Sequence, residues 1–428
     1  MTDRTLTVGL LGFGTVGTGV VRLLREHADE IAARLGANLA VGPVAVRDPQ
    51  RVRDIEVEHL TDDPGAVVDD PDVDIVVEVM GGVEPARSLI ERALKGGKSV
   101  VTANKELVAT VGFELAAVAD EHGAWLEYEA AVAGGIPIIR PLRESLAGDR
   151  VRRILGILNG TTNFILTKMT EEGVDFGDAL AEAQRLGFAE ADPAADVEGA
   201  DAASKLAILA SIAFDSRVVA GDVFREGITR VTATDIAHAR RMGYVIKLLG
   251  IAESSDGDIA VRVHPALVPK EHPLASVRES FNAVFVEAEA VGDLMFYGRG
   301  AGSLPTASAV VGDIVDVARG VLSGERPFNS LRGGGKRVRP MAELTVQFYV
   351  LLDVADEAGV LAAVASTFGE HDVSIKSVWQ EGHGDSAQLL LITHAAREGD
   401  LQETLQDLRE LSAVRDVASV MRVEGAET

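Results

Sequence analysis

The chain of 428 residues contains no cysteine, so disulfide bonds, thiolate nucleophiles and cysteine-ligated metal sites are excluded. It also lacks an uncharged apolar run of the roughly 18 residues that a membrane span requires. The apolar start at Leu6–Leu11 is too short for a signal peptide and leads into a glycine-rich turn. These absences predict a cytoplasmic protein.

Basic residues are also scarce. The chain has 41 lysines and arginines against 66 aspartates and glutamates, which gives a formal net charge of −25. Such a charge argues against nucleic acid or an anionic membrane as a partner. Hydrophobic residues make up 47% of the chain, which is ample for globular folding. Because 428 residues exceed what one core organises, we expect two or three domains.

The segment Gly187–Lys205 concentrates the acidic residues next to one lysine. Asp201 and Lys205 are four residues apart, so on a helix they share one face. Pro193 and Gly199 should place the earlier acids on a loop at the helix entrance. Such a cluster can hold an ammonium group and move a proton beside it. The alternative is an acidic helix start with an ordinary ion pair. The carboxylates are Glu190, Asp192, Asp196, Glu198 and Asp201.

A glycine motif follows the first predicted strand. Thr5–Leu11 has the pattern of a buried strand, and G-x-G-x-x-G then leads into a helix predicted to reach about Leu35. Gly12 permits a tight turn, Gly14 lets the backbone approach a pyrophosphate, and Gly17 allows close packing of helix on strand. In this context the motif predicts a dinucleotide site. The alternative is a glycine-rich turn in an unrelated α/β domain.

Two basic residues follow later predicted strands. Arg47 follows Leu39–Val46, where NAD-binding chains often carry an acid. It could accept a 2′-phosphate, which favours NADP over NAD, or it could be a solvated arginine. Lys105 lies just beyond the strand Ser99–Thr102. Because ligands in parallel sheets lie beyond the carboxyl ends of the strands, we expect Lys105 to reach cofactor or substrate.

The run Val132–Ile136 has small side chains and exposed carbonyls. Together with Glu129, it could bind a hard monovalent cation through oxygen atoms, or it could be an interdomain hinge. A second domain is predicted from Ile138, with a mixed sheet and a turn at Asn159–Asn163 that caps a helix.

Two further glycine-rich segments follow. Gly298–Gly302 opens a helix predicted at Ser303–Arg319 and indicates a second backbone approach to the cofactor. Leu331–Pro340 is basic and glycine-rich, and we interpret it as a linker that does not fix the next module rigidly. The order β-α-β-β-α-β after this linker is typical of a ferredoxin-like module.

Together these motifs resemble homoserine dehydrogenase over essentially the whole chain. The resemblance rests on the glycine motif with TANKELV, on NGTTNFIL, on Gly187–Lys205 and on YGRGAG. The C-terminal module looks like an ACT domain, although Ala358 replaces a proline often found in that family's loop. The resemblance implies an α/β and α+β protein. Its implied parts are a Rossmann-type NAD(P)-binding domain at 1–137 to which helix 303–320 returns, a catalytic and dimerisation domain at 138–330, a linker at 331–343 and an ACT regulatory domain at 344–428.

The family's reaction is the reversible NAD(P)H-dependent reduction of L-aspartate 4-semialdehyde to L-homoserine. The resemblance implies that Lys205 donates the proton, that Lys105 lies at the reacting oxygen, and that Asp201 completes the catalytic group. The implied substrate-binding residues are Glu190, Asp201, Asp196, Gly160 and Thr161. The implied cofactor-binding residues are Gly12, Phe13, Gly14, Thr15, Val16, Gly17, Arg47, Thr102, Lys105, Gly187 and Gly302. The implied sodium site is Glu129, Val132, Gly134 and Ile136.

The resemblance also implies a homodimer or homotetramer and feedback regulation by an amino acid such as threonine, through the loop Asp353–Gly359. Two alternatives stay open at this point. One is a dehydrogenase for a different semialdehyde or amino acid, and the other is a non-catalytic sensor of nucleotide and amino acid. The presence of Lys105 and Lys205 among only nine lysines argues against the sensor.

Overall fold

The structure is a computed structural model that describes residues 4–255, 257–329, 331, 333–383 and 386–425. The chain divides into two compact units, each assembled from three segments. The first unit contains residues 4–154, 204–223 and 282–336, and the second contains 155–203, 224–281 and the C-terminal part from 337. Among the described residues, no helix has both the length and the apolar character needed to cross a bilayer.

Each unit is built around β-strands. In chain order they are β1 (Thr5–Leu11), β2 (Asn38–Ala45), β3 (Leu60–Thr61), β4 (Ile75–Glu78), β5 (Ser99–Thr102), β6 (Leu126–Glu127), β7 (Val151–Ile157), β8 (Phe224–Arg225), β9 (Tyr244–Ser255), β10 (Asp258–Pro269), β11 (Phe281–Ala288), β12 (Gly292–Arg299), β13 (Thr345–Ala355), β14 (Ile375–His383), β15 (Ser386–Thr393), β16 (Ala396–Arg397) and β17 (Val414–Val423).

The α-helices are α1 (Thr15–Glu26), α2 (Ala28–Leu35), α3 (Pro64–Asp69), α4 (Ala86–Lys95), α5 (Lys105–His122), α6 (Gly160–Glu172), α7 (Phe176–Arg185), α8 (Ala194–Val197), α9 (Ala200–Ala213), α10 (Ala233–Arg241), α11 (Ser303–Ser323), α12 (Val360–Glu370) and α13 (Glu398–Glu410). The helix predicted to continue to about Leu35 is interrupted at His27, which separates α1 from α2.

The first unit is built on a parallel sheet with the strand order β3-β2-β1-β4-β5-β6. Its central strands are apolar and buried, as parallel strands covered on both faces must be. Helix α11 returns to this unit and packs on α1, where Gly19 lies so close to Ala307 that a Cβ on the glycine would meet the alanine at 2.9 Å. The strand order confirms the predicted Rossmann-type fold.

In the second unit, neighbouring strands follow the order β9-β10-β17-β13-β15-β14. The elements β13-α12-β14-β15-α13-β17 form the predicted ferredoxin-like module, with Phe348, Leu389 and Leu405 in its core. Strand β17 pairs antiparallel with β13 and also parallel with β10, where Ala266 lies opposite Arg422. The module therefore continues the sheet of β9 and β10.

The predicted linker is held to both units by backbone hydrogen bonds. The amide of Gly334 donates to Asp215 O at 3.0 Å within the first unit. In the second unit, the amide of Ile259 donates to Arg337 O at 2.8 Å, and the amide of Arg339 donates to Ile259 O at 2.7 Å. The expectation of a loose tether is therefore wrong for residues 337–339, which pair with β10. Ser330 and Arg332 lie outside the described residues.

Candidate active site

The turn between β1 and α1 has the geometry that its glycines require. Gly12 has φ +108°, and a Cβ there would lie 2.8 Å from Val79 O. A Cβ on Gly17 would lie 2.3 Å from Gly12 O, so only glycine fits at this position. Gly14 is the N-cap of α1, and among the described residues no side chain caps this helix and nothing would lie within 4 Å of a Cβ on Gly14. The helix N-terminus is thus open to an anion, which fits a dinucleotide pyrophosphate.

Other predicted cofactor residues surround this turn. Thr15 and Val16 begin α1, and Thr15 O accepts a hydrogen bond from Ser303 Oγ at 2.7 Å. Gly302, with φ +125°, is the N-cap of α11, so the second glycine-rich segment lies against the first. The structure therefore brings Gly302 together with the β1–α1 turn, through a contact between α1 and α11.

Arginines follow β2 at the edge of the same turn. Arg47 is exposed and is the second residue after the strand. The guanidinium carbon of Arg53 lies 6.0 Å from the ring centroid of the buried Phe13, and Arg53 donates to Asp48 O at 2.8 Å. The sequence analysis did not predict a role for Arg53, although it belongs to the same arginine-rich stretch. Its contact with Phe13 joins residues that are far apart in the chain.

The carboxyl ends of β4 and β5 are tied together by one carboxylate. Thr102 is fully buried, and its Oγ1 donates to Glu78 Oε2 at 2.6 Å. Glu78 Oε1 accepts from the amide of Met80 at 2.8 Å. The Thr102 side chain thus ties the carboxyl ends of β4 and β5 together. Next along the chain, Asn104 caps α5 and Lys105 is that helix's first residue, partly exposed at the edge of the sheet.

Asn159 organises the acidic cluster of the second unit. Its Nδ2 donates to Asp196 Oδ1 at 2.7 Å and to Asp201 Oδ2 at 2.9 Å. Its Oδ1 accepts from the amide of Thr162 at 2.8 Å and caps α6, which fixes the orientation of the amide group. Asp201 is 9% exposed. Because Asn159 is neutral, it orients both carboxylates without cancelling their charge.

The other predicted substrate, cofactor and catalytic residues near this cluster differ in exposure. Gly160 begins α6, and Thr161 Oγ1 donates to Phe188 O at 2.6 Å, so Thr161 holds the chain just before the acidic cluster. Gly187 is exposed with φ +78°. Glu190 is also exposed, and the two carboxylates to which Asn159 donates are those of Asp196 and Asp201. Lys205 is partly exposed on α9, one helical turn after Asp201.

The carboxylate of Glu129 is held by three backbone amides. Oε1 accepts from Ile138 at 2.6 Å and from Ile139 at 2.8 Å, and Oε2 accepts from Arg140 at 2.8 Å. The amide of Glu129 itself donates to Asp313 Oδ2 at 2.8 Å. Burial raises the pKa of Asp313 well above its usual range, with Glu127 and Glu129 adding to the rise and Arg140 opposing it. This network fixes the start of the loop that carries the predicted sodium site.

The same loop packs against a buried amide. Ala133 and Gly134 both have φ +55°, and a Cβ on Gly134 would lie 2.4 Å from Gly300 O. A Cβ on Gly300 would in turn lie 2.1 Å from the amide carbon of Asn282. Asn282 is 1% exposed, and neither of its amide atoms has a hydrogen-bond partner in the part of the chain that the structure describes. Val132 and Ile136, the other predicted ligands, are buried in this loop.

Comparison with known proteins covers the chain from the glycine turn to the C-terminal module. Residues 12–129 match the family model described as homoserine dehydrogenase, NAD binding domain, residues 137–315 match that of homoserine dehydrogenase, and residues 348–413 match that of the ACT domain. The homoserine dehydrogenase of Corynebacterium glutamicum is 52% identical over 423 residues, which cover 97% of this chain and 95% of that protein.

Solved structures agree with these matches. A homoserine dehydrogenase from Thiobacillus denitrificans is similar with a TM-score of 0.95 and 42% identity, covering 99% of both chains. A hyperthermophilic archaeal homoserine dehydrogenase in complex with NADPH is similar with a TM-score of 0.64 and 29% identity, covering 77% of this chain and 100% of that chain. The chain therefore belongs to the homoserine dehydrogenase family of NAD(P)-dependent oxidoreductases that act on a CH–OH group, and it carries a C-terminal ACT domain.

Proposed function

We propose that the protein reversibly reduces L-aspartate 4-semialdehyde to L-homoserine, with Lys205 as the proton donor and NADP favoured over NAD. The observation that carries this proposal is the Asn159–Asp196–Asp201 cluster, which lies one helical turn before Lys205. The reduced nicotinamide supplies a hydride to the aldehyde carbon. The residues of this chain bind and orient the substrate and transfer the proton.

Negative charge develops on the aldehyde oxygen as the carbon is reduced. A lysine ammonium near that oxygen stabilises the charge and can transfer a proton to it. Lys205 is the residue we assign to this transfer, because α9 carries it beside Asp201. Lys105, at the start of α5, is assigned to the same oxygen as a second cation. In the oxidative direction, Lys205 accepts the proton from the homoserine hydroxyl.

The substrate carries an ammonium group at its other end. Asp201 and Asp196 are assigned to this group, since Asn159 holds both carboxylates in one orientation while leaving their charge intact. A carboxylate pair that is preoriented in this way loses little entropy when it binds an ammonium. Gly160 and Thr161 line the pocket from the start of α6, whose backbone amides suit the substrate carboxylate. Glu190, an exposed acid, is assigned to the entrance of the pocket.

The preference for NADP is supported by the arginines after β2. Arg47 is exposed there, and Arg53 lies over Phe13 of the glycine turn. A guanidinium can bind a 2′-phosphate through two parallel hydrogen bonds, whereas NAD has only a hydroxyl to offer at this position. The complex of the archaeal relative with NADPH agrees with this preference.

A sodium ion is proposed in the loop from Glu129 to Ile136. The Glu129 carboxylate is engaged by three amides, so the proposed ligands are main-chain carbonyl oxygens of Glu129, Val132, Gly134 and Ile136. The buried amide of Asn282 next to this loop supports a polar occupant. The ion would hold the loop in the shape that packs on Gly300.

Regulation and assembly complete the proposal. The ACT domain is proposed to bind an amino acid, with threonine as the first candidate, at the loop after β13. Gly359, with φ +95°, ends this loop as the N-cap of α12 and leaves its backbone accessible. Binding between paired modules requires an oligomer, and a homodimer or a homotetramer would provide it.

The test is homoserine-dependent reduction of NADP and NAD by the purified protein, repeated with Asp201→Asn. We expect Asp201→Asn to raise the KM for homoserine by at least ~10-fold, because one charged hydrogen bond to the ammonium is lost. Asp178→Asn on α7 is the matched control, since Asp178 is an exposed acid outside the cluster, and its KM should stay unchanged. The proposal is refuted if homoserine supports no reduction of either cofactor.

A further inference from the structure

The second unit contains a cavity of about 500 Å³ where the C-terminal module meets the segment that follows β8. Helix α13 and strand β17 form one wall, and residues 224–231 form the other. Apolar side chains line part of it, including Phe224, Met341 and Leu405. A cavity of this size is within the range of small-molecule sites. It is separate from both the acidic cluster and the loop after β13.

The floor of the cavity is a buried ion cluster. Arg422, which is 4% exposed, donates from Nη2 to Glu398 Oε1 at 2.6 Å and from Nε to Glu398 Oε2 at 3.1 Å. It also donates from Nη1 to Glu226. Glu398 is 3% exposed, whereas Glu226 is partly exposed toward the cavity. The carboxylate of Glu226 is therefore the accessible negative group of the floor.

The rim carries the opposite charge. Arg230 and Arg409 both line the cavity and are both exposed. In the described part of the chain, neither arginine forms an ion pair. A simple anion would face Glu226, and a simple cation would face the two arginines. A small molecule with both charges would satisfy both sets of groups.

The segment that lines the cavity contacts α8, the helix that carries Asp196 of the acidic cluster. The amide of Ile228 donates to Val197 O at 2.8 Å. A Cβ on Gly227 would lie 2.3 Å from Val197 O, so the two backbones are in close contact. Val197 is the last residue of α8, the short helix that also carries Asp196. Any shift of residues 226–228 must therefore move α8, and α8 holds one of the two carboxylates bound by Asn159.

We propose that this cavity binds a zwitterionic α-amino acid with a small apolar or hydroxylated side chain. Its carboxylate binds Arg230 and Arg409, its ammonium binds Glu226, and its side chain packs against the apolar wall. Occupancy of the cavity changes the affinity for homoserine through Gly227 and α8. The binding stands independently of the enzyme's reaction, whereas this coupling rests on the proposed function of the acidic cluster.

The test is calorimetric titration of the full-length protein with L-threonine, L-isoleucine and L-methionine as separate probes. We expect at least one probe to bind, and Arg409→Ala and Arg230→Ala each to weaken that binding by at least ~10-fold, the scale of one charge-assisted hydrogen bond. Both arginines are exposed, so their removal should not impair folding. Arg34→Ala is the matched control, an exposed arginine on α2 of the first unit that does not line this cavity. It should leave the binding unchanged.

The coupling is tested on the same preparations by the KM for homoserine with and without the probe. The probe should change this KM, and in calorimetric titrations the probe and homoserine should change each other's Kd by the same factor. The proposal is overturned if no probe binds up to ~10 mM, an affinity of about 3 kcal/mol. It is also overturned if Asp356→Ala, in the loop after β13, abolishes binding while both cavity variants retain it. Loss of homoserine oxidation alone would refute the proposed function and leave the calorimetric binding intact.

Discussion

Replacement of Asn159 by aspartate isolates the electrostatic role of this side chain. The substitution keeps the shape, and the remaining oxygen can still accept from Thr162 and cap α6. The donor nitrogen, however, becomes a negatively charged oxygen. It would then lie about 2.7 Å from Asp196 Oδ1 and 2.9 Å from Asp201 Oδ2, the distances that Nδ2 has now. Three carboxylates would meet where an amide now joins two.

The cost can be bounded in two ways. Two charges about 3 Å apart repel by roughly 5–6 kcal/mol at an effective dielectric constant of about 20. Uptake of one proton avoids this repulsion, and holding a carboxyl with an ordinary pKa of about 3.9 neutral at pH 7 costs about 4 kcal/mol. Protonation is the cheaper route, so we expect Asn159→Asp to lose at most about 4 kcal/mol of unfolding free energy at pH 7.

The pH dependence of this loss has a definite sign. The folded variant would hold a carboxyl whose pKa is raised above its unfolded value, so between these two values it binds more protons than the unfolded chain. The unfolding free energy of Asn159→Asp, relative to that of the unsubstituted protein, should therefore fall as pH rises from about 4 to about 7. It should change little below pH 4. Urea unfolding at several pH values measures this difference.

A matched control separates the cluster from the general effect of an aspartate at a helix start. Asn104 is also a buried N-cap, but its Nδ2 donates to the carbonyl of Gly82 at 2.6 Å. Asn104→Asp should therefore lose less stability, with a weaker dependence on pH. Equal destabilisation by Asn159→Asp at pH 5 and pH 8 would contradict the carboxylate cluster described for Asp196 and Asp201.

Three further predictions concern single basic residues. Lys205→Ala should lower kcat by at least ~10²-fold in steady-state assays while cofactor binding is retained, whereas Lys95→Ala on the exposed face of α4 should not change kcat. Arg47→Ala should raise the KM for NADP more than that for NAD, and equal changes would refute its contact with the 2′-phosphate. Burial lowers the pKa of Lys247 from 10.5 to about 8, so the folded chain binds fewer protons than the unfolded chain between these values. Unfolding free energy should rise by up to about 3 kcal/mol as pH increases through this window, and Lys247→Met should remove that rise in urea titrations.

The sequence was most informative where structure is local. The strands of the parallel sheet are short apolar runs, and the glycine turn shows part of its requirement locally, through the positive φ of Gly12 and the approach of Gly17 to Gly12 O. The predicted position of Lys105 beyond β5 follows from the same local pattern. The β-α-β-β-α-β order of the C-terminal module was also predictable, because each of its elements has its own apolar period.

Contacts between distant segments were not predictable. Asn159 was interpreted only as a helix cap, because its carboxylate partners are 37 and 42 residues away in the chain. The break at His27 was missed because charged and apolar residues continue in helical order on both sides of it. Strand β12 was not predicted, because its short apolar run at 294–297 is only partly buried, with Tyr297 54% exposed. In each case the deciding interactions are tertiary.

The attachment of the C-terminal module shows the same limit and changes how regulation must be tested. Arg262 is 1% exposed and donates to Glu253 and to Glu424, both at 2.9 Å. Glu424 and the neighbouring Arg422 belong to the end of the chain, and Arg422 in turn binds Glu226.

Deletion after about residue 335 would leave Arg262 without its buried partner Glu424. Removing one partner of a buried pair typically costs about 3–5 kcal/mol, since the other charge stays buried and uncompensated. The deletion would also remove the strand that pairs with β10. Truncation at this point would therefore not separate inhibition from catalysis, because lost activity would report damage to the second unit as readily as lost sensing. Substitutions of exposed residues, such as those at the cavity rim, leave these buried pairs in place and can separate regulation from folding.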